Sequence, residues 1–232
     1  MARKVSSSDI KKFIAYIAPM IQREGFSRGY SVVSTTIAQA IKEGAAGQST
    51  LAKAPYHNHF GLKCGKAWLK AGKPSVCLKT KEEYTPGTLT DIKDFFRVFP
   101  DDESGVEGYY DFISASRYDN LRTAKNYRQF AEYLKADGYA TSSTYVESLC
   151  RDYVERYNLD KWDDKAFSVS YYPKYTGDGQ SIVNALDSLG IPSDLYSRRN
   201  IYNANFSDTY TMSAKQNIAM LDLLKQGVLI MP

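Results

Sequence analysis

Thr36-Ile37-Ala38-Gln39-Ala40-Ile41-Lys42-Glu43-Gly44, followed by Gly47-Gln48-Ser49-Thr50-Leu51-Ala52, decides how this chain is read. Val33, Ile37, Ala40 and Ile41 recur at helical spacing, so a helix is predicted over about Val32 to Lys42, with an apolar face turned inward and Gly44 ending it. A lone carboxylate, Glu43, sits in the last turn. The negative end of the helix dipole and burial against apolar groups both disfavour its ionised form, so it is placed to hold a proton at the lip of a loop.

Working outward, Ile10, Phe13, Ile14, Ile17 and Ile21 predict a first helix from about Ser8, its plausible cap, to Arg23. Residues 55 to 100 change character. Val76-Cys77-Leu78-Lys79-Thr80 and Phe95-Phe96-Arg97-Val98-Phe99 are strand candidates among Gly and Pro, and predict a small β-rich lobe inserted in a helical body. Helices are predicted again over Ser104–Ser114, Ala124–Ala136 and Ser143–Tyr157. Charge, Pro173 and Gly177-Asp178-Gly179 then mark a boundary. The tail carries two helical stripes. The first holds Ile182, Val183, Leu186 and Leu189 and closes at Gly190. The second opens on a Ser213/Gln216 capping box and closes at Gly227. The expected class is α+β, mainly α: a domain over 1–163, a linker over 164–174 and a small, mostly helical domain over 175–232.

Composition narrows the partners. A net charge of +4 over 232 residues, with scattered basic residues, is too weak to argue nucleic-acid binding and favours anionic polymers mildly. No apolar run reaches the ~20 residues that span a bilayer. Met1 to Asp9 is polar and shows no secretory signal. Tyrosine is abundant, 19 against 10 phenylalanines and 2 tryptophans, which suits polar clefts and sugar faces as well as half-exposed helix positions. The three cysteines are expected as free thiols, although Cys64 and Cys77 bracket a segment that could close as a loop. His57 and His59 lack a convincing third ligand, so no metal is expected.

The stretch around Glu43 resembles the active-site helix of glycoside hydrolase family 73, glucosaminidases that cut bacterial cell-wall glycan, whose members read Ala-Gln-Ala-x-x-Glu-Ser-Gly-Trp-Gly-x-Ser. Four further ordered blocks are similar to that family: Asn58-x-Phe60-Gly61-Leu62-Lys63, Thr80-Lys81-Glu82-Glu83-Tyr84, Phe96-Arg97-Val98-Phe99, and Arg117-Tyr118-x-Asn120-Leu121 with Gly138-Tyr139-Ala140-Thr141 and Tyr145. The resemblance implies a lysozyme-like fold and acid-catalysed hydrolysis of peptidoglycan, with Glu43 as general acid and Glu83 as the β-lobe carboxylate. Glu82 is its rival, since strand neighbours face opposite ways. Tyr139 would position sugar or water beside Glu43, and Tyr118, Glu82, Asn58 and Phe60 would contact substrate, with a structural alternative for Phe60 and for Arg97.

One departure stands out. Gly44-Ala45-Ala46-Gly47 replaces the family's Ser-Gly-Trp-Gly, and Trp68 or a tyrosine could fill the missing ring's place. The tail resembles wall-holding modules of lytic enzymes, a helical cap on the first domain being the other reading. No cofactor is implied. The expected agent is a monomer, made in the cytoplasm and reaching the wall by lysis, a holin or a non-classical route. Two rivals stay open: an N-acetylmuramidase on the same scaffold, and an inactive wall-binding protein.

Overall fold

The computed structural model describes residues 5–85, 88–140, 142–165, 167, 170–206 and 208–232, with the side chains of 81–91 outside the description. It divides into two compact units, one of Met20–Phe167 with the N-terminal residues, the other of Ser6–Pro19 and Ser168–Pro232.

In the first unit, helices α2 (Ser34–Glu43), α4 (Asp102–Ile113), α5 (Tyr127–Ala136) and α6 (Tyr145–Leu149) form the body. A short α3 (Lys66–Lys70) precedes the hairpin of β1 (Ser75–Thr85) and β2 (Thr88–Arg97). A 3₁₀ turn, Ser116–Thr123, links α4 to α5; a π-helical turn, Cys150–Glu155, and a second 3₁₀ turn, Leu159–Asp163, follow α6. Every residue of α2 from Ser34 to Ile41 is buried, so its polar side chains need partners inside the protein. Thr35 donates to the Tyr127 carbonyl at 2.9 Å. The N-terminus of α2 has no cap from its own neighbours. Asp163, 130 residues on, supplies one: its Oδ1 accepts from the Val33 and Ser34 amides at 2.6 and 2.8 Å, and its Oδ2 from the Ser34 hydroxyl at 2.7 Å.

The hairpin is longer than its sequence suggests. Ser75 pairs with Arg97 and the ladder continues antiparallel to Glu83 opposite Leu89. Its base is laced to the loop after α2. The Arg97 amide donates to the Leu62 carbonyl, Cys64 to Phe95 and Phe99 to Tyr56. Lys63 bridges to Phe96 on one edge of β2, while Cys77 pairs with Phe95 on the other. Cys64 and Cys77 therefore flank β2, about 9–10 Å apart at two strand spacings, beyond the ~7 Å that a disulfide tolerates. Both are free thiols, as is the buried Cys150.

The second unit takes the first half of α1 (Ser7–Ser27) together with α7 (Ile182–Ser188), α8 (Leu195–Asn205) and α9 (Ala214–Gln226). The cap of α1 is Ser6, not Ser8: its hydroxyl accepts from the Asp9 amide, while the Asp9 carboxylate accepts from Ser6. Pro19 lies within α1 and cannot donate to the Ala15 carbonyl; the Tyr171 hydroxyl does so instead, at 3.3 Å. Ile182, Leu186, Ile201, Met220, Leu221 and Leu224 form this unit's core. Ser213 accepts from the Gln216 amide as a capping box requires, but the Gln216 side chain turns to Thr211 and Thr209. The third tail helix, α8, was not expected. Asp194 caps it, and Asn205 clasps the chain end, donating to Ile230 O and accepting from Ile230 N.

Candidate active site

Glu43 closes α2 and remains open to solvent. Desolvation by the surrounding protein nevertheless raises its carboxyl above the ordinary glutamate value, with Lys42 pulling weakly the other way. Accessible yet desolvated is the condition of a group in a recess, where a ligand can reach it while protein displaces much of its water.

The backbone beyond it is unusual. Gly44 is not a left-handed C-cap; its φ is −84°. It is glycine because a Cβ there would stand 2.7 Å from the Ala40 carbonyl oxygen and 2.9 Å from that of His59. The left-handed residues come next: Ala45, Ala46 and Gly47, at φ 48°, 50° and 75°. Two consecutive alanines in this region cost roughly 1 kcal/mol each, and Ala46 secures the turn by donating to the Ile41 carbonyl at 2.8 Å.

That close approach ties Glu43 to the hairpin. His59 is buried, and its Nε2 shares Asp102 Oδ1 with His57 Nδ1, each at 2.7 Å, which pins the 57–59 loop to the first turn of α4. Asn58, 1% exposed, donates to the Leu62 and Arg97 carbonyls and accepts from the Leu62 amide, so all its polar atoms brace this loop against β2. Phe60 is 3% exposed and stacks on Tyr109 at 4.1 Å. The Arg97 guanidinium lies between Trp68 and Phe112, 4.6 and 5.3 Å from their centroids. Trp68 also packs edge-on to Phe99 and donates to the Pro74 carbonyl. Its ring is thus committed to the hairpin base.

Tyrosines wall the other side. Tyr139, Tyr145 and Tyr153 all have hydroxyls raised first by burial, with the Glu43 charge among the further causes. Tyr139 donates to the Phe60 carbonyl at 3.4 Å, and its ring sits 6.0–6.5 Å from those of Phe112, Tyr109, Tyr145 and Tyr118. Tyr118 is 1% exposed and lies behind Tyr139, its ring packed against Phe112 and Arg117. The structure thus brings Tyr139 to Glu43 and sets Asn58, Phe60 and Tyr118 beneath it with their polar atoms or rings largely covered. Glu82 and Glu83 have their backbones in β1, opposite Thr90 and Leu89; their side chains lie outside the described residues.

Sequence reasoning missed Gln39, one turn before Glu43. It is fully buried, accepts from the Tyr109 hydroxyl at 2.5 Å and donates to the Tyr145 hydroxyl at 2.9 Å. A glutamine inside an apolar helix face was the available signal. Lys42 was missed too; its ammonium lies 5.1 Å from the Tyr145 ring centroid.

A helical body and a two-stranded lobe, with a solvent-open, desolvated carboxyl at a helix end, make up a lysozyme-like fold. Residues 18–159 match the family described as mannosyl-glycoprotein endo-beta-N-acetylglucosaminidase, the glucosaminidase family, and the chain belongs to it. Among curated relatives, a probable N-acetylmuramidase of Lactococcus lactis subsp. lactis is 31% identical over 167 residues, 69% of this chain and 36% of that protein. The exo-glucosaminidase LytG of Bacillus subtilis is 28% identical over 145 residues, 60% of this chain and 49% of its own length. The chain therefore spans about half or less of these relatives. The catalytic domain of the autolysin Auto of Listeria monocytogenes has a similar structure, with a TM-score of 0.55 and 26% identity, covering 69% of this chain and 91% of that one.

Proposed function

We propose that the chain hydrolyses the glycan strand of bacterial peptidoglycan at the β-1,4 bond after N-acetylglucosamine, with Glu43 as the general acid. The observation that carries this reading is the desolvated but accessible carboxyl of Glu43. A carboxyl raised by desolvation keeps its proton to higher pH than an ordinary glutamate, and so is better placed to deliver it to the leaving glycosidic oxygen. Family membership and the glucosaminidase among its relatives support the bond chosen.

In this mechanism the glycan lies across the end of α2, between the tyrosine wall and the hairpin. Glu43 protonates the leaving oxygen. Glu83, with Glu82 as its rival, is the second carboxylate, which activates water or steadies positive charge at the anomeric carbon. Tyr139 orients sugar or water beside the acid, while Tyr118, Asn58 and Phe60 back the subsite. The tail, 175–232, holds the enzyme on the wall, which raises the local substrate concentration without altering the chemistry. The enzyme acts at the cell wall; among the described residues no helix is long and apolar enough to cross a membrane.

The Lactococcus relative favours a second reading, cleavage of the alternate bond. Mass spectrometry of fragments released from purified sacculi decides between them. N-acetylglucosamine at the new reducing ends is the expected result; N-acetylmuramic acid there would assign a muramidase.

A further inference from the structure

The turn Cys150–Glu155 is π-helical, and it follows α6 without a break. Tyr145 lies at the start of α6 and Tyr153 eight residues later. An unbroken α-helix would set residues eight apart about 80° away from each other around the axis. The i→i+5 turn holds roughly 4.4 residues and rotates the chain by only about 82° per residue, which returns Tyr153 to within roughly 10° of Tyr145. The buried positions of this segment are Tyr145, Leu149, Cys150 and Val154. Both tyrosines therefore face α2, against which this segment packs.

Their hydroxyls differ. That of Tyr145 accepts from Gln39 and that of Tyr139 donates to Phe60 O. Tyr153 is half-buried, and among the described residues its hydroxyl has no hydrogen-bond partner in the protein. Burial first, then the charges of Asp152 and Glu43, keep it protonated.

We propose that Tyr153 is a substrate-contacting residue, whose ring and free hydroxyl form the groove wall on the α6 side of Glu43 and bind a sugar of the glycan strand. This rests on the reading of Glu43 as the acid. A pyranose ring offers an apolar face to the phenol and hydroxyl or N-acetyl acceptors to its O–H. The π turn has a use on this account: it aims one more aromatic at the site without moving the core residues around it.

The test is hydrolysis of purified sacculi by the full chain. Tyr153→Ala should raise KM about tenfold, with kcat changed far less. Tyr153→Phe, which keeps the ring, should fall between Ala and wild type. Arg151→Ala, an exposed neighbour in the same turn, should leave KM as it is. Wild-type KM in both Tyr153 variants would overturn the assignment, whatever happens to kcat. Glu43→Gln run alongside keeps the two ideas apart: an active Gln variant strikes the acid, while a raised KM at position 153 still supports the groove wall.

Discussion

Glu43→Gln is expected to lower reducing-end release from sacculi by about 10³-fold, within the range assigned to a lost general acid, without loss of the fold. Glutamine keeps the size and hydrogen-bonding reach of the side chain but has no proton to give. The fold should in fact gain. A carboxyl raised in the folded state makes that state bind more protons than the unfolded chain between the two pKa values, so the stability it contributes is complete below the unfolded value and is lost as pH rises through the folded one. The Gln variant lacks this loss. Its Tm should equal or exceed that of wild type at neutral pH, and the difference should vanish when pH drops below the ordinary glutamate range. Loss of activity together with a lowered Tm at neutral pH would mean that Glu43 supports the structure, not the chemistry.

Asp163→Ala is expected to cause the largest loss of stability, about 2–4 kcal/mol, from a lost helix cap and two amides left partly buried without acceptors. For a chain of this size that lowers Tm by roughly 5–15 °C. The reason is geometric. Three hydrogen bonds from Val33 and Ser34 end on one carboxylate, and α2 offers no local replacement. Asp163→Asn keeps one acceptor oxygen for the amides and should cost about 1 kcal/mol. Thermal unfolding of the two variants checks the order; equal Tm values for Ala and wild type would contradict it. Because α2 ends in Glu43, the Ala variant should also lose activity at temperatures below its Tm.

How much of this was legible in the sequence depended on whether the cause was local. The apolar stripe of α2 and its stop at Gly44 could be read, but the reason for that glycine could not. It lies in the His59 backbone, 15 positions away, and nothing near Gly44 signals it. The hairpin was underestimated because its described strands bury only Phe96. Exposure alternates only as far as Thr80; Lys81-Glu82-Glu83 are all charged, so no apolar alternation in the sequence marks the outer strand, and backbone pairing carries the ladder there. Helix α8 escaped because Arg198-Arg199-Asn200 interrupts its apolar positions, and only Ile201, Tyr202 and Asn205 are buried. Asp163 and the Tyr109–Gln39–Tyr145 chain join residues 70 to 130 positions apart, beyond any local pattern. The site residues came from the resemblance, which led to Glu43 and Tyr139, whereas Gln39, Lys42 and Tyr153 emerged only from packing.

Acid catalysis at this site turns on a single proton, and titration of the Glu43 carboxyl by ¹³C NMR reads it directly. Its midpoint should lie above the ordinary glutamate value, and should climb further in Lys42→Met, where the one opposing charge is gone. The alkaline limb of the activity profile should follow both midpoints. A Glu43 that titrates at or below the ordinary value, with an activity profile indifferent to Lys42, would contradict the assignment of the acid.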